Sequence, residues 1–227
     1  MSETILLAAI LIPCLIVAIV FHEVAHGWVA LMLGDPTAKE QRRLSLNPVR
    51  HVDPVGTLLV PGGLALAGLP VFGWAKPVPV IKQRLNNPRY GMMAVAAAGP
   101  MTNFILALIG AIVLGLMLLL FPADVAPPQW LGDAAYYFIA INVFLALFNL
   151  LPIPPFDGSH IVEGLLPPSA ARVYNKVRPF GFPLLFILLL VVPYVFPEAN
   201  IIENVVFPPV EWAMNQYLSV ADWVSGG

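Results

Sequence analysis

Apolar residues along this chain do not alternate with polar ones but gather into long blocks separated by short polar clusters. The first block runs from about Thr4 to Leu33, and three more cover Gly91 to Phe121, Ala134 to Leu151 and Phe180 to Phe196. Each reaches the roughly 17–25 residues a helix needs to cross the hydrocarbon of a bilayer. The three later blocks contain no Asp, Glu, Lys, Arg or His. A fifth apolar stretch, Leu58 to Trp74, is broken by Pro61, Gly62, Gly63, Gly68, Pro70 and Gly73 and predicts a poor helix.

Composition agrees with that pattern. Of the 227 residues 59% are hydrophobic and only 11% charged, and the mean hydropathy is +0.84, which excludes an ordinary soluble domain. A net charge of −2 without a basic tail gives no sign of a nucleic-acid partner. Cys14 is alone, so no internal disulfide forms, and it reads as a small core residue. Met1 to Thr4 carries no basic residue and the first block outruns a signal-peptide core, so that helix is expected to be retained.

The basic residues set the threading. All eleven fall in three places: Lys39, Arg42, Arg43 and Arg50; Lys76, Lys82, Arg84 and Arg89; Arg172, Lys176 and Arg178. The positive-inside rule places all three in the cytoplasm if Leu58 to Trp74 dips into the membrane and returns. That stretch is therefore expected to be a re-entrant or β-hairpin element, covered by protein or water. Both termini then lie outside. After Pro197, the residues Val210, Met214, Tyr217, Leu218 and Ala221 repeat at helical spacing opposite Glu211, Asn215 and Asp222, with Trp212 and Trp223 nearby. This predicts an amphipathic helix in the outer interface, serving as a cap or as a contact in a homo-oligomer.

The expected fold is an all-α polytopic membrane protein, with four transmembrane helices, the re-entrant or β-hairpin element and a C-terminal interfacial helix. A single integral-membrane domain spans 1–227, with a catalytic core of about 4–163 and the last span and interfacial helix at about 177–224. The polar stretches are too short for an independent soluble module.

Chemistry enters with HEVAH, His22 to His26, inside the first apolar block. Ionisable residues in a membrane span are costly and mark functional sites. On a helix, positions four apart lie about 40° from each other, so His22 and His26 share a face one turn apart. That suits two nitrogen ligands of one zinc ion, with Glu23 beside them to take a proton from a zinc-bound water. A catalytic zinc usually has three protein ligands. Asp35, His51, Asp53, Asp157, His160 and Glu163 are the candidates for the third. Asp157 follows the third span on the same side of the membrane, where Pro152, Pro154 and Pro155 prevent a regular helix and Gly158 permits a sharp turn. An ordinary turn aspartate before glycine explains it equally well.

HEVAH, together with AAAGPMTNF (Ala96 to Phe104) and NLLPIPPFDG (Asn149 to Gly158), resembles the site-2 protease family of intramembrane zinc metalloproteases. Leu33 to Thr57 and GWAKPVPV (Gly73 to Val80) are similar to a compact prokaryotic branch lacking a PDZ domain. The resemblance covers roughly Phe21 to Glu163. It implies one Zn2+ per chain held by His22, His26 and Asp157, with Glu23 as general base and Asn149 supporting the substrate carbonyl or its oxyanion. It also implies hydrolysis of peptide bonds in or near transmembrane segments of protein substrates, in the cell membrane, with the active site towards the cytoplasm.

Other residues receive simpler readings. Gly99, Pro100 and Asn103 lie among small residues and predict close helix packing. A hydrogen bond between Asp53 and His51 accounts for that pair, and His160 reads as a solvated loop residue. Lys76 to Val80, KPVPV, cannot be a central strand, because Pro77 and Pro79 lack amide donors. As an edge it would pair through Val78 and Val80 and hold a substrate strand by β-augmentation.

Overall fold

The computed structural model describes residues 3–68, 73–121, 127–187, 191–196, 198 and 202–227. It is all-helical, and no strand occurs among the described residues. The apolar blocks become α1 (Glu3–Met32), α4 (Pro88–Leu120) and α5 (Gln129–Asn149). These three are long and apolar enough to cross a membrane, and only 17%, 28% and 22% of their most apolar windows are buried within the protein. The remainder faces outward and requires an apolar solvent. Shorter helices fill the connections: α2 (Thr37–Glu40), α3 (Val60–Leu66), α6 (Gly158–Leu165) and α7 (Pro168–Tyr174). After them come α8 (Gly181–Phe186), α9 (Val192–Val195) and α10 (Phe207–Ser225).

One expectation, a poor helix from Leu58, is met differently. The interrupted stretch from Leu58 forms helix: Pro54–Leu59 is a wide π-type turn that runs into α3. Asp53 nucleates it by accepting hydrogen bonds from Val55 N (2.9 Å) and Gly56 N (2.7 Å), and Pro54 and Pro61 sit in first-turn positions, where a missing N–H costs nothing. No strand forms from Leu58 to Leu66, and 69–72 lie outside the described residues. The block expected to be the last span contributes α8 and α9, and 188–190 between them are likewise outside the description.

The chain divides into two compact units, Met1–Ile19 with Pro100–Phe148 and Ile202–Gly227, and Val20–Gly99 with Asn149–Ile201. In the first, α4, α5 and α10 close a core of Ala107, Ala111, Ile139, Val143, Ala213, Met214 and Ala221. α10 turns its apolar face onto that core and donates from the Tyr217 hydroxyl to Phe104 O at 3.2 Å, while Trp212 and Trp223 stay exposed. Asn103 and Asn142 are fully buried here. Asn103 Nδ2 donates to Asn142 Oδ1 (2.8 Å) and Ala18 O (3.2 Å), and Asn142 Nδ2 donates to Phe138 O (2.8 Å).

The second unit holds the HEVAH turns of α1, the first turns of α4 and the proline-rich run after α5. Gly158 is not in a left-handed conformation. Its role is close approach: a Cβ there would lie 2.2 Å from Leu150 O and 2.4 Å from Leu151 O. The run from Leu150 to Asp157 therefore folds back on itself tightly enough to return Asp157 towards α1. Residues 73–81 form an extended strap pinned from several directions. Trp74 N donates to Gly56 O (3.0 Å), Lys76 N to His51 O (2.8 Å) and Ile81 N to the carboxylate of fully buried Asp35 (2.6 Å).

Candidate metal centre

His22 and His26 are both buried, with ring planes crossed at 87° and centroids 4.6 Å apart. Their Nε2 atoms are 3.0 Å from each other. Asp157 Oδ2 lies 3.2 Å from each. His26 Nδ1 is 2.7 Å from Val95 O. A carbonyl can only accept, so Nδ1 carries the proton, and the Nε2 of the neutral ring is an unprotonated lone pair. That lone pair faces a carboxylate oxygen which is buried and has no hydrogen-bond partner. Lone pair against anion is repulsive unless a cation stands between them. The set also fits zinc in size. Bonds of 2.0–2.1 Å in a tetrahedral site put ligand atoms about 3.3–3.4 Å apart, close to the separations found here. Among the described residues these three are the one group of His, Cys, Asp and Glu placed to hold a metal.

α4 shapes the same spot. Pro100 has no N–H to offer Ala96 O four residues before it, and Val95, one residue earlier still, provides the carbonyl that orients His26. Gly99 faces the imidazoles directly. A Cβ there would lie 2.5 Å from His22 Cε1 and His26 Nε2 and 2.6 Å from His22 Nε2. The sequence favours packing over chemistry for Gly99. Its neighbours are the donor atoms themselves, and the signal available was its place in AAAGP, paired in the same resemblance with HEVAH.

Glu23, on the adjacent flank of α1, is half-buried, and its Oε2 accepts a hydrogen bond of 2.7 Å from Val78 N. Val78 N–H, expected to pair with a substrate strand, is therefore engaged by Glu23. Asn149 is the half-buried last residue of α5.

The other candidates for a third ligand are occupied elsewhere. Asp35 accepts from Thr37 N (3.0 Å), the Thr37 hydroxyl and Ile81 N. His51 Nε2 pairs with Ser45 O at 2.7 Å and Asp53 caps the turn after it, so the expected bond between those two is replaced by two separate ones. Glu163 accepts from Lys82 (2.7 Å), Arg178 (2.8 Å) and Asn175 (3.0 Å). Burial raises its pKa, but the Lys82 and Asn175 hydrogen bonds and the charges of Lys82 and Arg178 outweigh that and hold it at about 2. His160 is on α6 rather than in a solvated loop. It lies 3.1 Å from Arg178 Nη1, and burial together with the Arg178 charge pushes its pKa down to about 4.

A model of peptidase family M50 matches residues 122–192. The chain is 42% identical over 185 residues to the Bacillus subtilis protein named "Putative zinc metalloprotease YwhC", across 81% of this chain and 80% of that one. It is 28% identical over 179 residues to the similarly named Rip2 of Mycolicibacterium smegmatis, across 78% of this chain and 65% of that protein. No solved structure matches the chain. The chain belongs to peptidase family M50, the site-2 protease family of zinc metalloproteases. Its apolar helices are those of a membrane protein.

Proposed function

We propose that this chain is an intramembrane zinc endopeptidase that cuts membrane-spanning segments of other proteins. The observation that carries the reading is the convergence of His22 Nε2, His26 Nε2 and Asp157 Oδ2, with His26 held by Val95 as an unprotonated donor, on a helix apolar enough to span. His22, His26 and Asp157 would hold the ion. Zinc held there supplies a Lewis acid that polarises a carbonyl and acidifies water. Glu23 takes the proton from the attacking water and delivers it to the leaving amine. Asn149, at the end of α5, donates its amide to the oxygen that gains charge.

In this reading the chain crosses the plasma membrane four times, with α1, α4, α5 and the block from Phe180 to Phe196 as spans. The stretch from Leu58 to Trp74 is re-entrant, and the site opens towards the cytoplasm. Confinement of all Lys and Arg to three loops supports that orientation. The whole chain acts as one domain. Its partners are single-span protein substrates and the lipid around them.

Zinc content and turnover separate the roles. His22→Ala, His26→Ala and Asp157→Ala should each lose zinc, and Glu23→Gln should keep one zinc per chain while losing hydrolysis. Full zinc in Asp157→Ala would remove Asp157 from the ligand set.

A further inference from the structure

Arg43 is a buried cation, 7% exposed, that the catalytic reading leaves without a use. It is placed there at some conformational cost. Arg42, just after α2, has φ of 54°, in the left-handed region that residues with a Cβ seldom adopt. The reversal is closed by Arg43 N donating to Ala38 O at 2.8 Å and Arg42 N to Lys39 O at 2.9 Å, the paired pattern that ends helices. Arg42 points to solvent and Arg43 points in. Strain of this kind persists where the surroundings over-determine it, and it gathers at functional sites.

Inside, Arg43 Nη2 donates to Lys76 O at 2.7 Å, and its Nε is buried without a partner. Lys76 is two residues before Val78, whose N–H is on the Glu23 carboxylate. Between and after them stand Pro77 and Pro79, each with a fixed φ and no N–H, so the backbone from 76 to 79 is stiff, and its two donors, Lys76 N and Val78 N, go to His51 O and to Glu23. The Val78 side chain is buried against α1 one turn beyond Glu23, at Gly27. A Cβ there would meet Leu44 Cδ2 at 2.5 Å and Val78 Cγ1 at 2.9 Å. Burial lowers the pKa of the Arg43 guanidinium, and the charge of Glu23 acts against that.

We propose that Arg43 is a positioning residue for the Glu23 carboxylate, acting through the Lys76 carbonyl and the stiff Pro77–Val78–Pro79 backbone to hold the Val78 amide on Glu23 Oε2. One carboxylate oxygen is thereby fixed by the protein and the other is left to meet a proton. The proposal rests on Glu23 as the base. It adds that a residue outside the metal-donor set, on the turn after α2, sets that base's geometry.

The test uses the zinc-loaded 227-residue chain in detergent micelles, labelled with 15N-valine. The substrate probe is a fluorescence-quenched peptide of one apolar span with a central Gly-Pro break. A charged acceptor draws the Val78 amide proton downfield, and Glu23→Gln identifies it by moving it upfield. Arg43→Gln should move the same resonance and lower kcat roughly tenfold or more, with KM nearly unchanged and zinc content intact. Arg43→Lys, which keeps a charge and a donor for Lys76 O, should restore much of both. If Arg43→Gln does not fold, replacing the Pro77–Val78 amide by an ester deletes only the N–H and should reproduce the loss in kcat. An unmoved Val78 resonance in Arg43→Gln overturns the proposal, as does a rise in KM at constant kcat or an increase in kcat. Full turnover by Glu23→Gln would instead remove the base reading, and the Val78 resonance would still decide whether Arg43 holds the contact.

Discussion

Replacing Gly99 by alanine tests the metal centre without touching a donor atom. The added methyl would lie 2.5 Å from His26 Nε2 and His22 Cε1 and 2.6 Å from His22 Nε2, where ordinary contact begins at about 3.5 Å. About 1 Å must be recovered, either by swinging the imidazoles away or by moving α4. Metal bonds tolerate about 0.2 Å, so an imidazole that moves that far is no longer a ligand. Moving α4 also withdraws Val95 O from His26 Nδ1. Loss of a histidine's orienting partner alone costs about 10–100-fold in metal affinity, and Gly99→Ala should lose at least that. The assay is zinc competition against a chromogenic chelator, with two controls. Gly62→Ala adds a methyl into open space, with nothing within 4 Å. Gly110→Ala crowds Ile139 Cγ1 at 3.0 Å in the other unit, which should cost stability but not zinc. Wild-type zinc affinity in Gly99→Ala would refute the argument, since the three donor atoms could then not be where the ion sits.

Other consequences are open to measurement. Asn142→Ala leaves Asn103 Nδ2 without its 2.8 Å acceptor in a fully buried place, and should cost about 1 kcal/mol in a denaturant titration in micelles; no change would mean that water or lipid replaces the bond freely. Glu163 has a folded pKa of about 2 against 4.5 when unperturbed. A depressed folded value adds stability that is fully present above the unfolded pKa and is lost as pH falls through the folded one. Metal-free wild-type protein should therefore lose thermal stability more steeply than metal-free Glu163→Gln between those two values, and parallel profiles would contradict the clamp by Lys82 and Arg178. Single cysteines at Ala38, Gln83 and Ser169, in a Cys14→Ser background, should be labelled only from the cytoplasm, and those at Ser2, Val125 and Ser225 only from outside. External labelling at Gln83 would show that the stretch from Leu58 to Trp74 crosses the membrane.

Periodicity and charge made much of this molecule legible in advance. The blocks from Thr4, Gly91 and Ala134 became α1, α4 and α5 within a few residues at most ends, because long uninterrupted apolar runs leave the backbone only helix as a way to satisfy itself in lipid. His22 and His26 were readable as a pair because helical geometry fixes their relation locally. Asp157 was not readable from spacing. What returns it to α1 is a close backbone approach at Gly158, a contact between parts of the chain that no local pattern encodes. Pro54–Leu66 shows local propensity overridden: an Asp53 cap and two well-placed prolines made a helix from a stretch counted as too broken for one. Arg43 was counted only as one positive charge among four in a loop, because burial of a cation depends on where the turn after α2 points. Val78 was assigned a free amide for the same reason. Its partner is 55 residues away in sequence.

The strap's two prolines also bear on how copies of this protein behave when crowded in one bilayer. In an extended chain successive residues present their backbone groups to opposite sides. Trp74, Lys76 and Val78 turn their N–H groups inward, to Gly56 O, His51 O and Glu23. The other side falls to Ala75, Pro77 and Pro79, so beyond Ala75 it offers carbonyls and no donors. A second strand laid along that side would find acceptors but could not complete a ladder. Proline on a bare edge is a recurrent guard against edge-to-edge aggregation. The same residues that stiffen the strap thus leave its outer side, beyond Ala75, without a donor for a second strand.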